Sequence, residues 1–231
     1  LSENRGIFSF METISVLSAS VTKAPTRADG KLSVSIDSAI RASVEAASRG
    51  NVFSPGDFAG LGSRAAVDKV LSRLAASGEL RRIARGLYDR PEALSQLPSV
   101  DEIARALAGK NCLCLQACGA YAANLLGLSE QMPLKLVFIT DGATRTVWIG
   151  ARQIVLKPTT RRNMATAGRI SGLVIQALRY LRQPNVDEAV LRHLQARLTS
   201  EDKAVLLDDA ALAPAWIADV MRRVGRATAG S

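Results

Sequence analysis

Aromatic residues make up only 4% of this 231-residue chain, and histidine occurs once, at His193. Scarce aromatics argue against the exposed stacking platforms with which many proteins hold single-stranded nucleic acid, whereas readers of duplex DNA need none. His193 lies between Arg192 and Leu194 with no serine or cysteine nucleophile motif beside it, so a surface position is expected rather than a catalytic one. Carboxylates are missing from a long stretch: between residues 103 and 182 only Glu130 and Asp141 occur, too few for paired acid–base work or a metal site. There is also no phosphate-cradling G-x-x-x-x-G-K-[ST] run and no strand-linked G-x-G-x-x-G. We therefore expect no catalytic residues, no metal and no cofactor.

Cysteine is limited to Cys112, Cys114 and Cys118. An odd number in so short a span, without paired C-x2-C spacing and set among leucines, reads as buried structural thiols in a reducing compartment, hence a cytoplasmic protein. No run approaches the roughly eighteen consecutive apolar residues of a membrane span. Residues 7–19 are mildly apolar, but Glu12 interrupts them and no clear small-residue cleavage site follows, so no signal peptide is expected.

What the chain does have is positive charge, a formal net of +9, which suits a partner bearing phosphate or acidic surface. The excess is unevenly placed. Residues 135–182 hold nine lysines and arginines against one acid, while residues 36–95 hold nine against seven.

Residues 20–35 mix Ser, Thr, Lys, Pro25 and Gly30, the composition of a linker, so 1–35 is read as a flexible N-terminal arm. Ile36, Ile40, Val44 and Ala47 then recur at helical spacing until Arg49-Gly50. After the apolar pair Val52-Phe53, Ser54 and Pro55 start a short second helix. Leu61-Gly62 supplies a turn, and Ser63 caps a third helix with Val67, Val70, Leu71 and Leu74 on one face, ending at Gly78. Leu80 to Tyr88 changes period and reads as two short strands about a glycine turn, stopped by Pro91. Helix, helix, turn, helix and hairpin within residues 36–95 is the order of a winged helix-turn-helix.

A Ser-Gln-Leu-Pro connector at 95–98 leads into a second domain, residues 96–231. Its expected elements are a helix at 100–108, a brief strand at 113–115, a helix at 119–126 and three strands at 135–140, 144–150 and 152–158 forming a small antiparallel meander. Helices over 164–181, 187–198, 200–208 and 214–224 complete it. The expected class is α+β: a winged helix-turn-helix followed by a mixed α/β domain with a small antiparallel sheet and C-terminal helices.

In a helix-turn-helix the start of the recognition helix meets base edges while neighbouring cations hold phosphate. Ser63 and Arg64 would lead the insertion, with Arg64 as base reader and Lys69 and Arg73 as positioners. Arg81, Arg82 and Arg85 would place guanidinium groups on the wing. The plain alternatives are a solvated surface on a small three-helix domain, or a winged helix that binds only protein. Lys135, Arg145, Arg152, Lys157, Arg161, Arg162, Arg169, Arg179 and Arg182 form a second basic set, to be read as an extended DNA track, a surface for an acidic or nucleic-acid-bound partner, or solvated surface.

Several stretches resemble the AbiEi-type antitoxin regulators of bacterial toxin–antitoxin loci, including a related group of uncharacterised proteins of the same layout. They are Phe53-Ser-Pro-Gly-Asp-Phe58, Gly62-Ser-Arg-Ala-Ala-Val-Asp-Lys69, Arg82-Ile-Ala-Arg-Gly-Leu-Tyr88, Gly119-Ala-Tyr-Ala-Ala-Asn-Leu-Leu-Gly127, Thr140-Asp-Gly142 and Arg162-Asn-Met164. The resemblance spans roughly residues 36–185. It implies a winged helix that binds operator DNA and represses its own operon, and a C-terminal domain that counteracts a nucleotidyltransferase-like toxin encoded next door.

Overall fold

The computed structural model describes residues 35–48, 50–91, 97–109, 112 and 114–226. The expected arm up to residue 34, Arg49, positions 95–96 of the connector and Leu113 lie outside the described residues. Within them the chain is mixed α and β, with eight α-helices and two small sheets, one antiparallel and one mixed. They fall into two compact units, residues 35–109 and 112–226.

The first unit opens with α1, Ile36–Ala46, whose N-cap Ser35 accepts a hydrogen bond from the Ser38 amide at 3.1 Å. Strand β1, Val52–Phe53, leads to a 3-10 turn at Pro55–Phe58, where the Asp57 carboxylate accepts from the Ser54 amide at 2.7 Å. Helix α2, Arg64–Ala76, begins at Ser63, whose hydroxyl accepts from the Ala66 amide at 3.3 Å. Its apolar stripe of Val67, Val70, Leu71 and Leu74 is buried, as the spacing predicts.

Strands β2, Arg81–Ala84, and β3, Leu87–Asp89, form a hairpin that turns through Gly86 at φ +73, a left-handed conformation that glycine adopts without strain. The pair Val52-Phe53 is more than an apolar connector. It adds β1 to the free side of β3, giving the antiparallel order β1-β3-β2. One cluster of Ile40, Phe53, Phe58, Leu71, Leu74 and Tyr88 thus joins both helices to the sheet. The unit runs on past residue 95 to α3, Val100–Ala108, which buries Ile103 and Ala104 and packs on β1 and β3.

The second unit begins with β4, Leu115–Cys118, and α4, Gly119–Leu125. Strands β5, Lys135–Thr140, β6, Arg145–Ile149, and β7, Arg152–Pro158, follow at the expected places, but they do not form an antiparallel meander. The order is β4-β5-β7-β6, with β5 and β7 parallel and β6 on the edge. Burial explains this order. Strand β7 carries the unbroken buried run Ile154, Val155 and Leu156 and belongs inside a sheet, whereas β6 exposes Arg145, Thr146 and Trp148 and tolerates an edge.

Leu136, Phe138, Ile154 and Leu156 line one face of this sheet, where the Tyr121 ring of α4 lies 5.5 Å from that of Phe138. The helix expected from residue 164 is instead a 3-10 turn, Arg161–Met164, then α5, Ile170–Leu181. The break has a tertiary cause: buried Gln116, 52 residues away, accepts a hydrogen bond from the Gly168 amide at 3.0 Å, which fixes the turn before the helix starts. Helix α5 is buried from Ile170 to Leu178 and packs on α4 and α7. Helices α6, Glu188–Arg197, α7, Ser200–Asp209, and α8, Ala215–Gly225, close the unit.

At the head of α5, buried Asp209 from α7 accepts from Ser171 and from Arg169 Nη1, the latter at 2.8 Å. Nearby, a Cβ added to Gly172 would come within 2.2 Å of the Thr166 carbonyl oxygen and 2.7 Å of Gln116 Oε1. Helix propensity alone would make Gly172→Ala stabilising by about 1 kcal/mol. The backbone contact reverses that sign, so a lower urea midpoint is expected for Gly172→Ala than for wild type.

Candidate nucleic-acid interface

Burying Val67, Val70, Leu71 and Leu74 turns Arg64, Ala65, Lys69, Ser72 and Arg73 of α2 outward. The small side chains of Ala65 and Ser72 leave room between the cations. Ser63 is exposed, but its hydroxyl is engaged in capping the helix. Arg64 is 68% exposed and meets Asp68 one turn on, Nε to Oδ2 at 3.0 Å. A pair so wet and local is worth roughly 0.3–0.5 kcal/mol, so an incoming phosphate or base edge readily replaces it.

Arg73 is held differently. It pairs with Asp37 across the α1–α2 junction, and Asp37 also accepts from Arg41 Nε at 3.1 Å. Arg41 pairs in turn with Glu79, which accepts from the Ser77 hydroxyl at 2.9 Å. The chain Arg73–Asp37–Arg41–Glu79 ties both helices to the segment leading into β2. Hydrogen bonds from Arg41 and then Arg73 hold the Asp37 carboxyl below its ordinary pKa.

On the hairpin the three arginines separate by role. Arg81 faces Asp89 across β2 and β3, with Nε to Oδ1 at 3.0 Å and a second bond from Nη2 to Oδ2. Asp89 is buried, and its hydrogen bonds raise the Arg81 pKa further. Arg82, on the opposite face of β2, and Arg85, beside Gly86, are exposed. Of the seven residues read from sequence, Lys69, Arg82 and Arg85 present open cations, and Arg64 presents one in a weak pair. Arg73 and Arg81 serve internal charge. Spacing does not reveal these pairs: Asp37 lies 36 residues from Arg73, and Asp89 meets Arg81 only through the register of β2 on β3.

A cleft of about 310 Å³ opens in the same unit between the end of α1 and the hairpin. Arg41 and Arg90 are balanced there by Glu45 and Glu79 over Val44 and Leu80, so it offers no net charge to phosphate.

In the second unit Lys135, Arg145, Arg152, Lys157, Arg161, Arg162, Arg179 and Arg182 are all exposed. Arg179 Nη1 donates to Asn163 at 3.2 Å, and Arg169 is the member committed to buried Asp209. His193 is exposed and donates from Nε2 to the Leu126 carbonyl at 2.9 Å, capping the end of α4. The cysteines are half-buried rather than buried. Cys112 contacts Thr140 Oγ1 at 2.9 Å, and burial pushes the Cys118 thiol up to about 11. Among the described residues no three His, Cys, Asp or Glu side chains gather as a metal site.

A family model matches residues 39–206, which includes most of both units. The chain belongs to that family, DUF6088, a family of unknown function. No curated protein and no solved structure matches it. Helix α2, the hairpin and the mixed sheet lie inside the matched span, which begins within α1.

Arg81→Ala leaves the Asp89 carboxylate buried without its bidentate partner, and a loss of about 3–5 kcal/mol is expected in urea denaturation. Arg82→Ala, exposed on the same strand, should stay within about 0.5 kcal/mol of wild type. Asp37 titrates below its ordinary 3.8 when folded, so its contribution is full above that value and disappears as pH falls through the lowered one. Between about pH 5 and pH 2 the Tm of wild type should therefore fall more steeply than that of Asp37→Asn.

Proposed function

We propose that residues 36–95 form a winged helix-turn-helix that docks on duplex DNA. In this reading the chain is a transcription regulator and antitoxin that represses its own operon and counteracts a nucleotidyltransferase-like toxin. The observation that carries the DNA half is α2 itself: a helix capped by Ser63, headed by exposed Arg64, buried on one stripe and followed at once by a hairpin bearing exposed Arg82 and Arg85. Strand β1 supports it by bracing the hairpin from the other side. The antitoxin half rests on the resemblance to AbiEi-type regulators. The protein acts without catalysis of its own in this reading, and its place is the cytoplasm, where the operator is; among the described residues no helix is long and apolar enough to cross a membrane.

Arg64 is the base reader, Lys69 a phosphate contact on the same helix, and Arg82 and Arg85 the grip of the wing. A second reading, a winged helix that binds only protein, is favoured by one observation: Arg73 and Arg81 spend their charge on Asp37 and Asp89. Binding to the DNA upstream of its own gene separates the two. Arg64→Ala should relax discrimination at its base by about 1–3 kcal/mol, while Arg82→Ala should weaken all duplexes alike and lower the salt slope by about one. Wild-type affinity in both variants, or salt-insensitive binding to a protein instead, would select the second reading. Relief of the neighbouring gene product's toxicity on co-expression tests the antitoxin half.

A further inference from the structure

The outer face of the second unit's sheet has a surface that the duplex reader does not use. Register places Trp148 of β6 opposite Gln153 of β7, and Gln153 opposite Lys135 of β5, so these three side chains stand in one row. The core residues Leu136, Phe138, Ile154 and Leu156 point to the other face. Two residues along each strand, Val155 and Val137 make an apolar row, and Lys157 stands in the row beyond.

Trp148 is 60% exposed, and Lys135 and Lys157 are exposed. Strand spacing sets Lys135 about 10 Å from Trp148 across the sheet, and Lys157 about 13 Å from Gln153 along β7. Of the four cations on strands β5, β6 and β7, Lys135 and Lys157 lie on this face, whereas Arg145 and Arg152 alternate to the face of Ile154 and Leu156; the three strands carry no carboxylate.

We infer that this face binds single-stranded nucleic acid, with a base stacked on the Trp148 indole and the phosphates held by Lys135 and Lys157. Two observations select this occupant. An indole left open on a sheet face offers a flat surface for a base, and the flanking charge on this face is of one sign and suits phosphate. A duplex presents its bases edge-on inside a groove and cannot lay one flat on an indole, so this surface differs in kind from the α2 and hairpin reader. The low aromatic content of the chain argues against an extended platform, but a single stacking position needs only one ring.

The test is the affinity of the full chain for labelled short oligothymidylate and oligouridylate, measured by anisotropy at fixed salt. Trp148→Ala should weaken both by roughly tenfold and Lys135→Ala/Lys157→Ala should flatten the salt dependence, while Trp148→Phe keeps most of the affinity. Because the chain has two tryptophans, Trp216→Phe isolates Trp148, whose fluorescence should be quenched on binding. All these side chains except Trp216 are exposed, and an unchanged Tm in the variants separates lost binding from lost fold.

Equal binding by wild type and Trp148→Ala overturns the inference. So does tighter binding of an acidic peptide than of either oligonucleotide, or a self-association that Trp148→Ala abolishes. Arg64→Ala and Arg82→Ala should leave single-strand affinity unchanged, so failure of the duplex reading and failure of this one are told apart.

Discussion

The bidentate pair between Arg81 and buried Asp89 is the interaction on which the arrangement of the first unit's exposed cations depends. A carboxylate out of water demands a partner, and Arg81 is spent in meeting that demand. With Arg81 drawn to one face of β2, alternation along the strand sends Arg82 to the other. Asp37 has the same effect on α2, holding Arg73 toward α1 while Lys69 remains open. Two carboxylates therefore sort the cations of a nearly neutral unit into those that hold the fold and those left exposed.

The second unit solves a different problem, how to seat a strand with three consecutive buried apolar residues. Placing β7 between β5 and β6 pairs both its edges, at the cost of a crossover that puts β6 outside. That choice brings Trp148 to an edge strand and lines up Lys135 and Lys157 on one face. At the other side of the unit, Asp209 gathers Arg169 and Ser171, so one member of the basic set again serves the fold.

Much of this was legible beforehand. The α2 stripe, its Ser63 cap and the glycine-centred hairpin follow from spacing and local chemistry, and they appear where the residues place them. The positions of β5, β6 and β7 were equally readable, because alternation and turn residues are local signals, whereas β4 lies later than the expected 113–115. The parallel pairing of β5 with β7 was not, since a two-residue turn between β6 and β7 says which strands are neighbours but not on which side a third will lie. The third strand of the small sheet was missed for a related reason: two residues are too few to show a period.

By itself the sequence determined the local elements, the sign of the charge and the segments in which it concentrates, because helix caps, turns and periodicity act over a few residues. Tertiary structure alone decided which cations remain available. Asp37 and Arg73 are 36 residues apart, and Asp209 lies 40 from Arg169, so their pairing depends on helices packing first. The face on which Trp148 emerges likewise depends on strand order, which the burial of Ile154, Val155 and Leu156 imposes from a distance.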